Sequence, residues 1–223
     1  MVLLSIQYFP NIQYFTKILE HGQIILEAHE NYQRQTYRNR CKIYAANGIQ
    51  TLSVPIEKNE SEKNIRQIRI AYHTQWQMNH WKSIVSAYKN APYFEHYEHK
   101  IKRLFFTKEE FLWNLNQKTI ETILDLLSLK VNLQFSSHYE KNAQNDWRNG
   151  IHPKPQHCFP DDDFVPEKYY QVFASKHGFI PNLSILDLLF NEGPNSIVIL
   201  KKSSKKLLTE NKLVFSKAEK NKP

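Results

Sequence analysis

The first part of the chain alternates short apolar runs with polar turn signals. Residues 2–8 are rich in β-forming side chains and stop at Phe9-Pro10, after which Asn11 can cap a helix with apolar residues at helical spacing. Gly22 is a suitable stop for that helix, and residues 23–26 form the next apolar run. A strand, a helix and a strand in such quick succession predict a βαβ unit with a parallel strand pair.

A hairpin and one more strand are predicted after this unit. Asn47-Gly48 joins apolar runs at residues 40–44 and 50–56, and both turn residues accept positive φ, which favours a two-residue hairpin. After a polar loop, residues 65–72 have the composition of another strand. We therefore expect a mixed sheet within residues 1–72.

From residue 73 onward the period of the apolar positions becomes helical. Side chains four apart share one face of a helix predicted over residues 74–88: Trp76, His80, Ile84 and Tyr88. Further helices are predicted at residues 93–105, 108–129, 166–177 and 182–190, with a short strand at 131–135 and an irregular, proline-rich segment at 142–166.

These elements predict an α/β protein. Its N-terminal mixed sheet opens with a βαβ unit, and a mainly helical second half packs on that sheet. The length of the chain is typical of one domain. We expect residues 1–200 to form a single domain, made of an α/β portion at 1–72 and a mainly helical portion at 73–200.

The net charge of +8 comes mostly from the end of the chain. Residues 201–223 hold eight lysines and two glutamates, whereas residues 1–200 hold 22 basic and 20 acidic side chains, a net charge of +2. A lysine-rich end of this kind is typical of a basic, partly disordered tail, which could add salt-dependent affinity for a polyanion. We do not expect nucleic acid to be the partner of the nearly neutral body.

Composition and motifs exclude several classes of protein. Two cysteines, Cys41 and Cys158, give no disulfide framework, and the N-terminal run, interrupted by Pro10, lacks the features of a signal peptide or a membrane span. The chain has no glycine-rich phosphate loop, no G-x-S-x-G motif and no zinc-ligand spacing. We expect a soluble, cytoplasmic protein without membrane insertion, metal or cofactor.

The turn after the first strand is the first candidate site. In open α/β sheets, ligands bind beyond the carboxyl ends of the strands, where a helix N-terminus can meet an anion. Gln7, Tyr8 and Asn11 would lie in that crevice. In the alternative interpretation Tyr8 belongs to the core and Asn11 only caps a helix.

An arginine-rich stretch is the second candidate. Arginine binds carboxylate or phosphate through two parallel donors, and strand alternation places Arg38 and Arg40 on one face with Asn39 on the other. Tyr37 directly precedes them, and Glu27, after the second strand, would share the same rim. Alternatively, these charges lie on an exposed edge and discourage strand pairing.

Further candidates lie in the helical portion. His80, one turn after Trp76, is either a satisfied core histidine or a general base with a suitable pKa. Asp146 and Arg148, in the long loop, either contribute to a site or pair with each other. Asp187 falls inside an apolar helix and needs a partner, for which one of the rim arginines is the candidate.

Five stretches of the chain carry a family resemblance: QYFPNIQYFTKI, YRNRCKI with LSVPI, Trp76 with His80, Ile84, Tyr88 and PYF, DWRNGIHPK, and YYQVFASKHGFIPNLSILDLLFNEGP. Together they resemble the WbqC-like protein family, which occurs in bacterial O-antigen and other polysaccharide gene clusters. The family pattern has a histidine before Gln-Pro at the first turn and an acidic pair after the second strand, whereas this chain has Ser5-Ile6-Gln7-Tyr8 and Glu27-Ala28.

The resemblance implies a transferase that moves an acyl or aminoacyl group onto a sugar or sugar nucleotide in bacterial surface-polysaccharide biosynthesis. In that hypothesis Arg38 and Arg40 hold an anionic small molecule, such as a sugar nucleotide or acyl donor, and His80 is the catalytic base. The other substrate-binding candidates are Gln7, Tyr8, Asn11, Tyr37, Asn39, Trp76, Asp146, Arg148 and Asp187. The alternative hypothesis is a non-catalytic ligand-binding or scaffolding protein with the same anion pocket.

Overall fold

The computed structural model describes residues 1–58 and 63–209 of the chain. The strands are β1 (Val2–Ser5), β2 (Gln23–Glu27), β3 (Arg40–Ala45), β4 (Gly48–Ser53) and β5 (Asn132–Phe135), and the helices are α1 (Ile12–His21), α2 (Trp76–Tyr88), α3 (Phe94–Phe106), α4 (Leu112–Leu126), α5 (Ala174–His177), α6 (Ile185–Glu192) and α7 (Ser196–Lys202). The predicted α/β class is confirmed, because parallel and antiparallel strand pairs precede a mainly helical part.

The βαβ unit is present as predicted. β1 and β2 pair in parallel, and α1 connects them. Asn11 accepts a hydrogen bond from the backbone N–H of Tyr14 at the start of α1, and Gly22 ends the helix at φ 65°, a left-handed conformation that glycine adopts without steric cost. β5 pairs with the other side of β2, also in parallel, so the strand order is β1-β2-β5.

β3 and β4 form the hairpin that the Asn47-Gly48 signal predicted. Ala45 pairs with Gly48, whose φ is 98°, and the two strands run antiparallel. The mixed strand pairing therefore comes from two sheets. One has three parallel strands and includes β5 from the second half of the chain, and the other has two antiparallel strands.

The prediction of a strand over residues 65–72 is wrong. Its first residues form a tight 3-10 turn, Ile65–Gln67, and the residues after this turn make isolated bridges instead of a ladder. One bridge joins Ile56 to Ile70, and the other joins Arg69 to Phe111 just before α4. The segment is therefore divided between two partners, which prevents a continuous strand.

The helix predicted over residues 166–177 is reduced to the four residues of α5. Upstream of it, Tyr169 and Gln171 direct their side chains to the buried carboxylate of Asp187 at 2.6 and 2.8 Å. These long-range hydrogen bonds hold the backbone in an irregular path that local helix propensity does not reveal.

One hydrophobic core includes residues of both the sheet portion and the helical portion, from Val2 in β1 to Leu200 in α7. Along the parallel sheet, Leu4 and Leu26 are fully buried, whereas Ile25 on the opposite face is only half-buried. Among the described residues no helix is both long and apolar enough to cross a membrane.

The lysine-rich end of the chain begins within the packed structure. Ser203 and Ser204 are buried, and the hydroxyl of Ser204 donates a hydrogen bond to Glu20 of α1 at 2.7 Å. The rest of the predicted tail, residues 210–223, lies outside the described residues.

Candidate functional site

The turn after β1 holds a non-glycine residue in a left-handed conformation. Phe9 has φ 41°, although a bulky residue before proline normally prefers an extended backbone. Its ring is buried, and its carbonyl accepts a hydrogen bond from the Ser184 hydroxyl at 3.0 Å. Strained backbone of this kind persists where the surroundings fix it, and it is concentrated at functional sites.

Arg148 lies just beyond the carboxyl ends of β1 and β2, where it binds two carboxylates. Its guanidinium donates to Glu27 Oε2 at 2.7 Å, to Asp146 at 2.9 and 2.6 Å, and to the backbone carbonyl of Glu140 at 2.6 Å. Only 2% of Arg148 and none of Glu27 is exposed. Hydrogen bonds to Asp146 are the main reason why the pKa of Arg148 is raised above its usual value.

Arg38 forms a separate ion pair with the carboxylate of Glu30. Its Nε donates to Glu30 Oε1 at 2.9 Å, a second guanidinium nitrogen contacts Glu30 Oε2, and both side chains are buried. Burial raises the pKa of Glu30, and the charge of Arg38 opposes that shift. We call Glu27, Glu30, Arg38, Asp146 and Arg148 the strand-end cluster.

Backbone contacts bring the predicted sequence stretches together around this cluster. Leu3 in β1 accepts a hydrogen bond from Trp147 N at 2.9 Å, and the Ser5 hydroxyl donates to the carbonyl of Arg148 at 2.9 Å. Tyr8 N donates to the carbonyl of Tyr37 at 2.9 Å. The first turn, the arginine stretch and the Asp146–Arg148 loop therefore share one edge of the molecule, as ligand sites in open α/β sheets do.

Arg40 differs from Arg38 in having no carboxylate partner among residues 1–58 and 63–209. Within the part of the chain that the structure describes, neither Arg34 nor Arg40 forms a salt bridge, and the buried Nε of Arg40 has no hydrogen-bond partner. Both arginines lower the pKa of Tyr32, which burial raises more strongly. Of the two arginines that were predicted to bind an anion, Arg40 is therefore the one without a salt bridge among the described residues.

Three other predicted residues carry buried polar atoms without a hydrogen-bond partner among the described residues. They are Gln7 Oε1, Asn39 Oδ1 and Trp76 Nε1. Asn39 otherwise donates to the carbonyl of Val54 at 2.9 Å. Buried polar atoms are normally paired, so each unpaired one is a position where a ligand or water can bind.

Tyr37 and Asn11 lie together at the first turn. Tyr37 is buried, and burial raises its pKa to about 12, while a hydrogen bond with Asn11 acts in the opposite direction. Asn11 also caps α1 through Tyr14 N. Its predicted role as a cap is therefore confirmed, and a direct role of either residue in binding a substrate stays a prediction.

His80 lies in an aromatic cluster beside the first turn. Its Nδ1 is 3.0 Å from the Tyr8 hydroxyl, its ring centroid is 5.2 Å from that of Trp76, and only 6% of the residue is exposed. Burial lowers its pKa to about 4, so the imidazole is neutral near pH 7 and shares a neutral hydrogen bond with the Tyr8 hydroxyl. Its role as a general base stays a prediction, and a substrate would have to reach it through this cluster.

Asp187 is not paired with an arginine of the rim. Its carboxylate accepts hydrogen bonds from Tyr88 at 3.0 Å, Tyr169 at 2.6 Å and Gln171 at 2.8 Å. Burial raises its pKa to about 6, and these hydrogen bonds act in the opposite direction. The anion beside Arg38 is Glu30 instead.

A cleft of about 580 Å³ opens on one face of the parallel sheet. We call it the sheet-face cleft; its lining residues are Met1, Leu3, Ile25, Glu27, Gln134, Phe135, Ser136, Ser137, His138, Glu140, Asn142, Ala143 and Gln144. Glu27 connects it to the strand-end cluster, because its Oε1 accepts a hydrogen bond from Ser136 in the cleft wall at 2.6 Å while Oε2 binds Arg148.

The described residues contain no group of three histidine, cysteine or carboxylate side chains placed to hold a metal ion. The sequence-based set of site residues missed Glu30, Ser136 and Glu27, although Glu27 was placed at the rim. The available signal for the two glutamates was their position directly after a strand, next to arginines that need counter-charges.

Comparison with known proteins gives a family but no activity. The sequence profile of the WbqC-like protein family matches residues 6–154, so the chain belongs to that family. An uncharacterized protein of Mycobacterium tuberculosis, Rv1507c, is 24% identical over an alignment that covers 86% of this chain and 94% of the mycobacterial protein. No solved structure matches the chain significantly.

Proposed function

We propose that this member of the WbqC-like protein family is a transferase that acts on a sugar or sugar nucleotide. It would transfer an acyl or aminoacyl group in bacterial surface-polysaccharide biosynthesis, and an anionic part of its ligand would bind at the carboxyl ends of β1 and β2. The observation that carries the proposal is the contrast between Arg38, neutralised by Glu30, and Arg40, whose buried Nε has no partner among the described residues.

The side chains near Arg40 suit a nucleotide sugar better than they suit a simple anion. Arg40 offers the planar donors that suit phosphate, and Arg34 adds a second positive charge next to Tyr32. Gln7 and Asn39 supply unpaired oxygens that can accept hydrogen bonds from sugar hydroxyls. Donors for phosphate and acceptors for hydroxyls therefore both occur in the first turn and the arginine stretch, which the hydrogen bond from Tyr8 N to the carbonyl of Tyr37 joins.

The proposal places the protein in the cytoplasm. Cys41 and Cys158 are both free thiols, which is compatible with a reducing compartment.

Calorimetric titration with uridine diphosphate N-acetylglucosamine, as a probe sugar nucleotide, tests the proposal. We expect Arg40→Gln to weaken binding by roughly tenfold to a hundredfold, because it removes a charge-assisted hydrogen bond to phosphate. Arg69→Gln is the matched control, since Arg69 is a half-exposed arginine that pairs with Glu110. Equal losses in the two variants, or no binding of sugar nucleotides and acyl donors by the wild type, would reject it.

The second candidate is a non-catalytic ligand-binding or scaffolding protein with the same pocket. It is favoured by the environment of His80, which is buried among aromatic rings with a pKa of about 4. Mass spectrometry after incubation with paired donors and acceptors separates the two: a transferred group supports the transferase, and binding without any product supports the alternative.

A further inference from the structure

No residue of a described helix lines the sheet-face cleft, which opens on one face of the parallel sheet. Leu3, Ile25 and Gln134 lie side by side across the three strands on this face, and the irregular segment 136–147 forms the wall beyond them. Parallel sheets are usually covered by helices on both faces, because their strands are apolar on both sides. Gln134 is exposed, so this row is only partly apolar. The sheet-face cleft is the space left between the strands and that wall.

The lining of the sheet-face cleft is polar but not basic. It contains no lysine or arginine, and its two carboxylates belong to Glu27 and Glu140. A phosphate or carboxylate would therefore find no counter-charge from the side chains that line it. In contrast to Arg40, the side chains that line the sheet-face cleft offer an anion no guanidinium or lysine ammonium group.

The same lining is rich in groups that bind hydroxyls. The side-chain amides of Gln134, Asn142 and Gln144 form no hydrogen bond with other described residues, and Ser137 adds an exposed hydroxyl. Each amide can donate and accept, as a sugar hydroxyl also does. The volume of about 580 Å³ lies within the range of about 300–1,000 Å³ that is usual for small-molecule pockets.

We propose that the sheet-face cleft is a carbohydrate subsite that takes the uncharged, hydroxyl-bearing ring of a monosaccharide. The choice of ligand rests on the proposed function, and the assignment to this cleft goes beyond it. Leu3 and Ile25 provide an apolar floor for the C–H face of the ring, and the three amides bind its hydroxyls. Glu27 places the subsite next to the strand-end cluster, where the anionic part of a ligand is proposed to bind.

Titration of the protein with N-acetylglucosamine and with glucose, followed by amide NMR, tests the subsite. We expect shift changes concentrated in residues 134–144, and Gln134→Trp, which fills the cleft, should weaken the binding by roughly tenfold or more. Gln67→Trp is the matched control at another exposed glutamine and should bind as the wild type does.

The outcomes keep this subsite separate from the proposed function. If neither sugar changes the amide shifts of residues 134–144 at concentrations of tens of millimolar, or if Gln134→Trp binds as well as Gln67→Trp, the subsite is rejected. If both sugars bind in the cleft but Arg40→Gln still binds the sugar nucleotide as the wild type does, the subsite stands and the proposed anion site fails. Loss of nucleotide binding in Arg40→Gln with unchanged monosaccharide binding supports both.

Discussion

Two sets of buried titratable side chains in this molecule differ in whether an opposite charge lies beside them. The strand-end cluster pairs each arginine with a carboxylate, Arg148 with Glu27 and Asp146, and Arg38 with Glu30. The other region surrounds single titratable groups with hydroxyls and aromatic rings, as at His80 and Asp187. There burial lowers the pKa of the histidine to about 4 and raises that of the aspartate to about 6, because it penalises the charged form of each group.

The difference shows that burial alone does not decide whether a side chain keeps its charge. In the strand-end cluster the charge of Arg38 opposes the rise that burial gives to the pKa of Glu30, whereas neither His80 nor Asp187 forms a salt bridge among the described residues. The charged chemistry of the molecule is therefore concentrated at the carboxyl ends of β1 and β2. For His80 and Asp187 we expect a contribution to the pH dependence of stability.

The largest effect is expected from removing Arg148. Arg148→Met leaves Glu27 buried with no cation, and removal of one partner of a buried ion pair typically costs about 3–5 kcal/mol. Urea denaturation near pH 7 measures the loss in the free energy of unfolding. A loss below about 1 kcal/mol would mean that this buried ion pair contributes no more to stability than an exposed pair does. That result would contradict our account of the strand-end cluster.

His80 should make the protein less stable in acid. Its folded pKa of about 4 lies below the unfolded value of 6.5, so its contribution is complete above pH 6.5 and is lost as the pH falls towards 4. The shift corresponds to roughly 3 kcal/mol. His80→Gln should lose that much less stability than the wild type between pH 7 and pH 4, as measured by denaturant unfolding at each pH. Parallel pH profiles of the two proteins would contradict the neutral, buried histidine.

Asp187 should make the protein less stable as the pH rises, which is the opposite of the effect of His80. Its folded pKa of about 6 lies above the unfolded value of 3.8, so its contribution is present below pH 3.8 and is lost as the pH rises towards 6. The size is again about 3 kcal/mol. Asp187→Asn should lack this loss of stability between pH 4 and pH 6. A variant that loses stability over this range as steeply as the wild type would show that Asp187 is not protonated there.

The smallest effect is expected at an exposed ion pair. Lys100 and Asp125 are 2.8 Å apart, with 57% and 69% of their side chains exposed. Lys100→Met should change the free energy of unfolding by less than about 1 kcal/mol, and salt should remove what effect there is. The same urea measurements provide the test, and a loss as large as that of Arg148→Met would remove the distinction between buried and exposed pairs.

Local signals in the sequence predicted the local parts of the fold. The Asn11 cap, the Gly22 stop and the Asn47-Gly48 turn each act over a few residues, and the structure contains all three. The prediction of a strand over residues 65–72 was wrong because Ile70 bridges to Ile56 and Arg69 bridges to Phe111. No local pattern in the sequence encodes such distant partners.

The candidate site was predictable in place but not in detail. Strand ends and arginines indicated which stretches lie together, namely the first turn, the arginine stretch and the Asp146–Arg148 loop, whereas the choice of partners depends on contacts across long stretches of chain. Glu27 and Arg148 are 121 residues apart, and the amide of Asn116 reaches the carbonyl of Arg38 across 78 residues. Such pairings follow from the tertiary fold, so Asp187 as a partner for a rim arginine was a reasonable but incorrect hypothesis.

The most direct test is a crystal structure of the protein with uridine diphosphate N-acetylglucosamine. We predict that the diphosphate contacts the guanidinium of Arg40, while the Arg38–Glu30 and Arg148–Glu27 pairs remain closed. A diphosphate bound away from Arg40, or one that opens either buried pair to reach Arg38 or Arg148, would contradict the division between paired and unpaired arginines.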